Sequence, residues 1–388
     1  MSKDAPRRAP RVPVVGMVGA GQLARMTLQS AIDLGIGFVV LARSADEPAA
    51  KAGARVVLGP PDSAEALARL AERCDVVTFD HELVPTELAA ALAARGVPVR
   101  PSGEALLFAR DKLAARRRFA AAGIPVPDFA PLGDDPAQEA EAFAERTGWP
   151  VVVKARSGGY DGRGVAVVSD GAEAGAFVRG VGPTGALVEA YVELAHEVAV
   201  VGVRSPSGAW AAYPLVETHQ VDGICRETVM PARVPGALAR EAESLARSIA
   251  EDIGAVGIVA VEMFVSADGR LLVNEIALRP HNSGHATIEG AVTSQFENHL
   301  RAVLDWPLGD TGMRVPAAAM VNVLGGASGV DPRTRLAEAL TVAAAAVHLY
   351  GKEARPGRKV GHVTVAGADA EAALAAARRC AALLTGDA

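Results

Sequence analysis

Cysteine is scarce. Cys74, Cys225 and Cys380 are the three in 388 residues, they lie far apart, and none sits in a CxxC pair, so neither a disulfide framework nor a thiolate zinc site is expected. An excess of positive charge is also missing: 39 Lys and Arg stand against 45 Asp and Glu, for a net charge of −6. That balance argues against general binding to nucleic acid, while leaving room for a local basic pocket. No run of about 18 apolar residues without charges occurs, so no membrane span is expected. Residues 1–11 are charged and contain proline, without the apolar stretch of a secretory signal; they read as a disordered lead, and the protein as cytoplasmic.

What the chain does have is core-forming material. Half of it is apolar and 22% is charged, the texture of a soluble globular protein. At roughly 100 to 200 residues per domain, the length predicts two or three domains. Over the first hundred residues short β-branched runs (12–18, 37–42, 55–58, 75–79, 97–100) alternate with Ala/Leu-rich helical stretches from 22, at 64–73 and at 86–95. Such alternation predicts a parallel sheet covered on both faces, with ligands at the carboxyl ends of its strands. A charged helix over 108–122 ends at Gly123, Pro125 and Pro127. Beyond it the strands (151–155, 165–168, 187–191, 197–203, 210–216, 257–265, 271–275) are separated by glycine-containing turns, which predicts much antiparallel sheet. A smaller unit closes the chain with an Ala-rich helix over 370–384.

Five constellations carry chemistry. In VGMVGAGQLARM, Gly19 and Gly21 follow a strand and open a helix. The acidic residue a dinucleotide site wants about twenty positions later is absent, Arg43 being nearest, so the loop is either a phosphate contact or a tight structural turn. In VVVKARSGGYDGRG a strand delivers Lys154 to a loop with Gly158, Gly159, Gly162 and Gly164, a combination suited to covering phosphates. It is not a Walker loop, since no GKS or GKT follows. In GIVAVEMFVSADGRLLVNEIALRP the turn Asp268-Gly269 joins two apolar runs into a hairpin; if Ser266 pairs with Leu271, Glu262 lies opposite Glu275. Like charges so placed repel unless a cation intervenes, and Mg²⁺ suits hard oxygen ligands. RPHNSGHATIEG is a polar loop better suited to substrate recognition than to zinc. LYGKEARPGRKVGH gathers Lys352, Arg355, Arg358 and Lys359 in a turn that fits a phosphate monoester or is a solvated basic loop.

Taken together, GAGQLARM, KARSGGYDGRG, NEIALRPHNSGHATIEG followed by TSQFENHLRAVL, and YGKEARPGRKVGH resemble the N5-carboxyaminoimidazole ribonucleotide synthase family over residues 12–365. RPHNSGH is the specific part; the glycine loop and carboxylate pair are common to many ATP-grasp ligases. The resemblance implies a mixed α/β and α+β fold: an N-terminal parallel-sheet (pre-ATP-grasp) domain over 12–107, a central two-lobed ATP-grasp domain over 108–305, and a small C-terminal domain over 306–388. It implies ATP and Mg²⁺ as cofactors. Lys112, Lys154 and the loop residues Gly159, Tyr160, Asp161, Gly162, Arg163, Gly164 and Val165 would meet the phosphates. Glu189, Ala190, Tyr191 and Val192 would receive the adenine and Glu197 the ribose, with Gln220 and Asn274 also at ATP, while Glu262 and Glu275 would hold the metal.

The same resemblance maps substrate binding onto Gln22, Leu23, Glu82, Tyr160, Asp161, Arg163, Arg279, His281, Asn282 and Ser283, with Lys352, Arg358 and Lys359 at the ribotide phosphate. Arg279 and His281 would hold the bicarbonate-derived group, and Asp161 would orient or deprotonate the acceptor amine. The implied partners are small molecules, namely ATP, bicarbonate and aminoimidazole ribonucleotide, with a homodimer by family analogy and neither nucleic acid nor membrane. Several positions depart from the family pattern: Lys112 stands for arginine, Gln220 for histidine, Asp80 for glutamate, Leu278 for proline and Ala286 for tyrosine. Ala277 stands where a general ATP-grasp enzyme carries asparagine, which favours this family over biotin carboxylase. Three alternatives remain: the same fold with another acceptor, a nicotinamide oxidoreductase built on Gly19 and Gly21, and a non-catalytic nucleotide sensor.

Overall fold

The computed structural model describes residues 11–159, 162–182, 185–326 and 329–386; the expectations for residues 1–10, Tyr160 and Asp161 fall outside them. Four strands, Arg55–Leu58, Gly37–Ala42, Val14–Val18 and Val76–Phe79, form in that order an all-parallel sheet. Its strands carry apolar residues on both sides, and both are covered. Val18, Leu41 and Phe79 pack with Leu67 and Leu92 on one face, and Val15, Met17 and Val40 with Leu28, Leu300 and Val303 on the other. The expected strand over 97–100 is reduced to a single bridge from Val99 to Val77.

The expected helix over 108–122 is two helices, Gly103–Arg110 and Lys112–Ala121, broken at Asp111. The physical reason is a cap: the Asp111 side chain accepts from the Leu113 and Ala114 amides at 3.0 and 3.1 Å and starts a new helix in a new direction. A small antiparallel sheet follows, ordered Phe129–Leu132, Ala186–Ala190, Val151–Ala155, Val165–Val168.

A nine-stranded antiparallel sheet forms the rest. Its path runs Leu271–Ala277, Gly257–Ser266, Leu194–Arg204, Val216–Val221, Ile224–Met230, Ala317–Leu324, Lys359–Gly367, Ala345–Leu349, with Trp210–Ala212 also against Leu194–Arg204. The run expected as one strand over 210–216 is thus split, because the chain leaves the sheet after Ala212 and re-enters at Val216 into a hairpin not foreseen from the sequence. The C-terminal strands are not a separate sheet, since Ala317–Leu324 pairs directly with Ile224–Met230. We therefore offer the divisions at 107 and 305 as divisions of chain, not of sheet.

The helix Gln295–Val303 holds these parts together. Leu300 and Val303 lie in the core of the parallel sheet, and Phe296 packs with Leu23, Met26 and Tyr350. His299, fully buried, accepts from the Ile258 amide through Nδ1 at 3.1 Å, so its proton sits on Nε2, which donates to Thr78 Oγ1 at 2.9 Å. Burial holds its imidazolium form down to about 3, against an ordinary 6.5. The unfolded chain therefore takes up a proton on acidification that the folded chain refuses, and this contribution is complete above 6.5 and fades as pH falls towards 3. His299→Leu orphans the buried Ile258 amide donor and the Thr78 Oγ1 acceptor and should cost about 2–4 kcal/mol at pH 7.5 in urea unfolding, with the acid slope of stability reduced by about one proton.

Candidate functional site

A cleft of about 780 Å³ opens between the small sheet and the edge of the large one. On its floor, Glu262 and Glu275 are direct partners across the hairpin, as the sequence predicts, but by a different register. Val265, not Ser266, faces Leu271, and a bulge at Asn274 then restores the pairing of Glu262 with Glu275. In a regular strand consecutive side chains point to opposite faces; the extra residue lets both Asn274 and Glu275 face the cleft.

Cations meet this floor from two other elements. Lys112, the first residue of its helix, brings Nζ to 2.5 Å from Glu275 Oε2. One turn on, Arg116 is buried with its Nε 2.7 Å from Glu189 Oε1, and Lys154 from the small sheet brings Nζ to 2.7 Å from Glu189 Oε2 and 3.0 Å from Asn274 Oδ1. The adenine contact expected of Glu189 is one through its backbone; its side chain sits between two buried cations. Lys154 and Arg116 hold it below the usual carboxylate range despite the burial that opposes them. Arg116 was missed by sequence reasoning, although its i+4 spacing from Lys112 and i−3 spacing from the buried Phe119 sets it on one face of the helix.

The two floor carboxylates differ. The Lys112 ammonium draws the Glu275 carboxyl down to about 2, against the burial that would raise it. Among the described residues no salt bridge ties a lysine or arginine to Glu262: burial first, then the Glu275 charge, push its carboxyl up to about 8. Beside it His281 Nε2 lies 3.7 Å from Glu262 Oε1. His281 Nδ1 takes the Ser283 amide at 3.4 Å, which leaves the ring proton on Nε2, facing the cleft. Burial and then Arg279 hold its imidazolium form down to about 3, so the ring is neutral. Arg279 Nε is 2.9 Å from Glu82 Oε2, on a loop of the parallel-sheet segment, while Glu82 Oε1 and Asn282 Nδ2 are buried with no hydrogen-bond partner among the described residues.

Most of the predicted residues line this cleft: Gln22, Leu23 and Glu82; Gly159, Gly162, Arg163 and Val165; Ala190, Tyr191, Val192, Glu197 and Gln220; and Asn282 and Lys359. Four lie off its wall. Gly164 forms the back of its loop, its carbonyl receiving the Ala155 amide at 2.8 Å. Ser283 turns its hydroxyl onto His281 Nδ1 at 2.9 Å, Lys352 Nζ lies 5.9 Å from the Tyr350 ring centroid, and the exposed Arg358 donates to the Glu353 carbonyl at 3.3 Å. At the Gly19–Gly21 loop the Gly21 amide is met by the protein's own Asp80 side chain. Asp80 Oδ2 accepts from the Gly21 amide at 2.7 Å, and a Cβ at Gly19 would fall 1.7 Å from Asp80 Oδ1.

Residues 117–296 match the ATP-grasp domain family, 12–110 the ribonucleotide synthetase preATP-grasp domain, and 318–376 the phosphoribosylaminoimidazole carboxylase C-terminal domain. The N5-carboxyaminoimidazole ribonucleotide synthase of Mycobacterium tuberculosis is 52% identical over 364 residues, 92% of this chain and 84% of that protein. The crystal structure of the Thermus thermophilus N5-carboxyaminoimidazole ribonucleotide synthetase superposes with a TM-score of 0.85 at 39% identity, covering 95% of this chain and 98% of the other. That of the Aspergillus clavatus synthase in complex with ADP and 5-aminoimidazole ribonucleotide gives 0.89 at 33% identity, over 96% and 98%. Among the described residues, no helix is long and apolar enough to cross a membrane.

The raised Glu262 carboxyl has a measurable consequence. Between its ordinary 4.5 and about 8 the unfolded chain has lost this proton while the folded chain keeps it, so its effect on stability worsens as pH rises. In metal-free buffer Glu262→Gln should gain stability over the wild type progressively across that window in thermal unfolding, with no pH-dependent gain below it. A pH-independent difference would contradict the assignment.

Proposed function

Since the chain belongs to the N5-carboxyaminoimidazole ribonucleotide synthase family of ATP-grasp ligases, we propose that this cleft is where it carries out its reaction, the ATP-dependent carboxylation of 5-aminoimidazole ribonucleotide in purine biosynthesis. Bicarbonate takes the terminal phosphoryl group of ATP to give carboxyphosphate and ADP. The exocyclic amine of aminoimidazole ribonucleotide then takes the carboxyl group, directly or as released CO₂, and phosphate leaves. The observation that carries the assignment is the facing pair Glu262 and Glu275, with Lys112 and Lys154 around it and Arg279 and His281 beside it.

The donor set fits Mg²⁺. Burial and the facing Glu275 charge raise the Glu262 carboxyl, which a bound cation would relieve, and two protein carboxylates plus phosphate oxygens are this ion's habitual ligands. Among the described residues there is no group of three or more His, Cys, Asp or Glu able to hold a metal, which leaves coordination positions for nucleotide oxygens and water. Bound between Glu262 and Glu275, the ion would neutralise phosphate charge as it develops. Lys154 and Lys112 supply fixed positive charge at the phosphates, and the cleft-lining Gly158, Gly159, Gly162 and Arg163 would cover them and limit water, to which carboxyphosphate is labile. Neutral His281 offers its Nε2–H, and Arg279 its guanidinium, to the carboxylate oxygens of the bicarbonate-derived group. Asp161 is the base or orienting group for the amine. Gln22, Leu23, Glu82, Asn282 and Lys359 bind the ribotide. We further assign the protein to the cytoplasm and, by family analogy, to a homodimer.

The test is ADP release with ATP, Mg²⁺, bicarbonate and aminoimidazole ribonucleotide, each omitted in turn. Release should require all four. Stimulation by glycinamide ribonucleotide with formate, and not by aminoimidazole ribonucleotide, would overturn the choice of acceptor. Glu275→Gln should lower kcat by about a thousandfold or more with the fold intact by circular dichroism; wild-type turnover at saturating Mg²⁺ would refute the metal assignment.

A further inference from the structure

Behind His281 lies a set of buried polar groups that the reaction as described does not use. Gln295, fully buried, turns its carboxamide back onto the His281 peptide. The His281 amide donates to Gln295 Oε1 at 2.9 Å, and Gln295 Nε2 donates to the His281 carbonyl at 2.7 Å. The second hydrogen of Nε2 goes to His285 Nδ1 at 3.2 Å, so the amide cannot flip without setting donor against donor, and His285 must be neutral with its proton on Nε2. Room for this clamp depends on Gly284, where a Cβ would fall 2.4 Å from Gln295 Oε1.

The clamp is itself backed by rings. The His285 and His362 centroids are 4.7 Å apart, and those of His362 and His348 are 4.4 Å apart at an interplanar angle of 15°. Tyr350 Oη bonds His362 Nδ1 at 2.8 Å, and His348 Nε2 meets Glu289 Oε1 at 2.7 Å. His362 lies on the strand Lys359–Gly367, whose first residue reaches the cleft, and Glu289 lies just beyond the His281 loop. A buried array of this kind costs desolvation, and where its bonds are satisfied it makes its surroundings rigid in return.

We propose that Gln295 and His362 are positioning residues for the reaction: Gln295 sets the His281 ring over Glu262, and the His285–His362–His348 stack locks that setting to the strand that carries Lys359. The proposal rests on the carboxylation reading of the cleft. It gives the C-terminal segment a part in holding the bicarbonate end of the site as well as the ribotide end.

The experiment compares Gln295→Met, Gln295→Glu, His362→Ala and His362→Phe with the wild type, measuring ADP release, carboxylated product and ADP affinity. Both Gln295 variants and His362→Ala should lose about 10- to 100-fold in kcat while KM for ATP stays within about twofold, and should release more ADP per carboxylated product. His362→Phe keeps a ring in the stack and should stay within about threefold of wild type. Gln295 variants that keep kcat, losses of kcat and ADP affinity in step, or a His362→Phe as impaired as His362→Ala would each overturn the inference. A wild type without ribonucleotide-dependent ADP release would instead sink the carboxylation reading.

Discussion

Two carboxylates facing each other across a hairpin are the constraint around which the molecule is arranged. At about 5 Å between Cβ atoms, like charges destabilise a sheet. Here the repulsion is relieved unequally: the Lys112 ammonium pairs with Glu275, while burial and the Glu275 charge raise the Glu262 carboxyl. The asymmetry leaves room for one more positive charge. Asn274, brought to the same face by the bulge, contributes by binding Lys154, so a one-residue irregularity in pairing lets a single strand hold Lys154 and, through Glu275, Lys112.

The neighbouring elements supply what that floor lacks. Lys112 stands at the start of a helix because Asp111 caps it, and Asp111 in turn holds Arg156 at the end of the lysine strand at 2.5 Å. Arg116 and Lys154 share Glu189, so one buried anion fixes the two cations that join the small sheet to the helix. On the other side, Glu82 from the parallel-sheet segment holds Arg279, and His299 ties the same segment to the large sheet through Thr78. Each contact crosses between chain segments, which explains how residues over 270 positions apart close on one cleft.

Much of this was legible in the sequence. Strands 37–42, 55–58, 151–155 and 165–168 occur at their predicted bounds, since each is a short β-branched run closed by turn residues. The facing of Glu262 and Glu275 was foreseen, although the register assumed at the turn is one residue off and the bulge at Asn274 restores the pair. The bulge was not, because it follows from side-chain partners far away in the chain. The break at Asp111 was written in the residue type but hidden within a continuous charged run. Partners of buried groups were the least visible: nothing local says that Glu189 serves Lys154, that Asp80 fills the turn after Gly19, or that Gln295 clamps His281. Of the basic turn at 352–359, Lys359, at the start of a strand, lines the cleft, while Lys352 and Arg358 lie off its wall.

The claim on which all of this depends is that Glu262 and Glu275 jointly hold the cation of a bound nucleotide. A crystal structure grown with ADP and Mg²⁺ tests it most directly. The account predicts one metal ion within about 2.0–2.2 Å of an oxygen from each carboxylate and of the terminal ADP phosphate. A metal held by phosphate and water alone, with both glutamates turned away from it, would contradict the account.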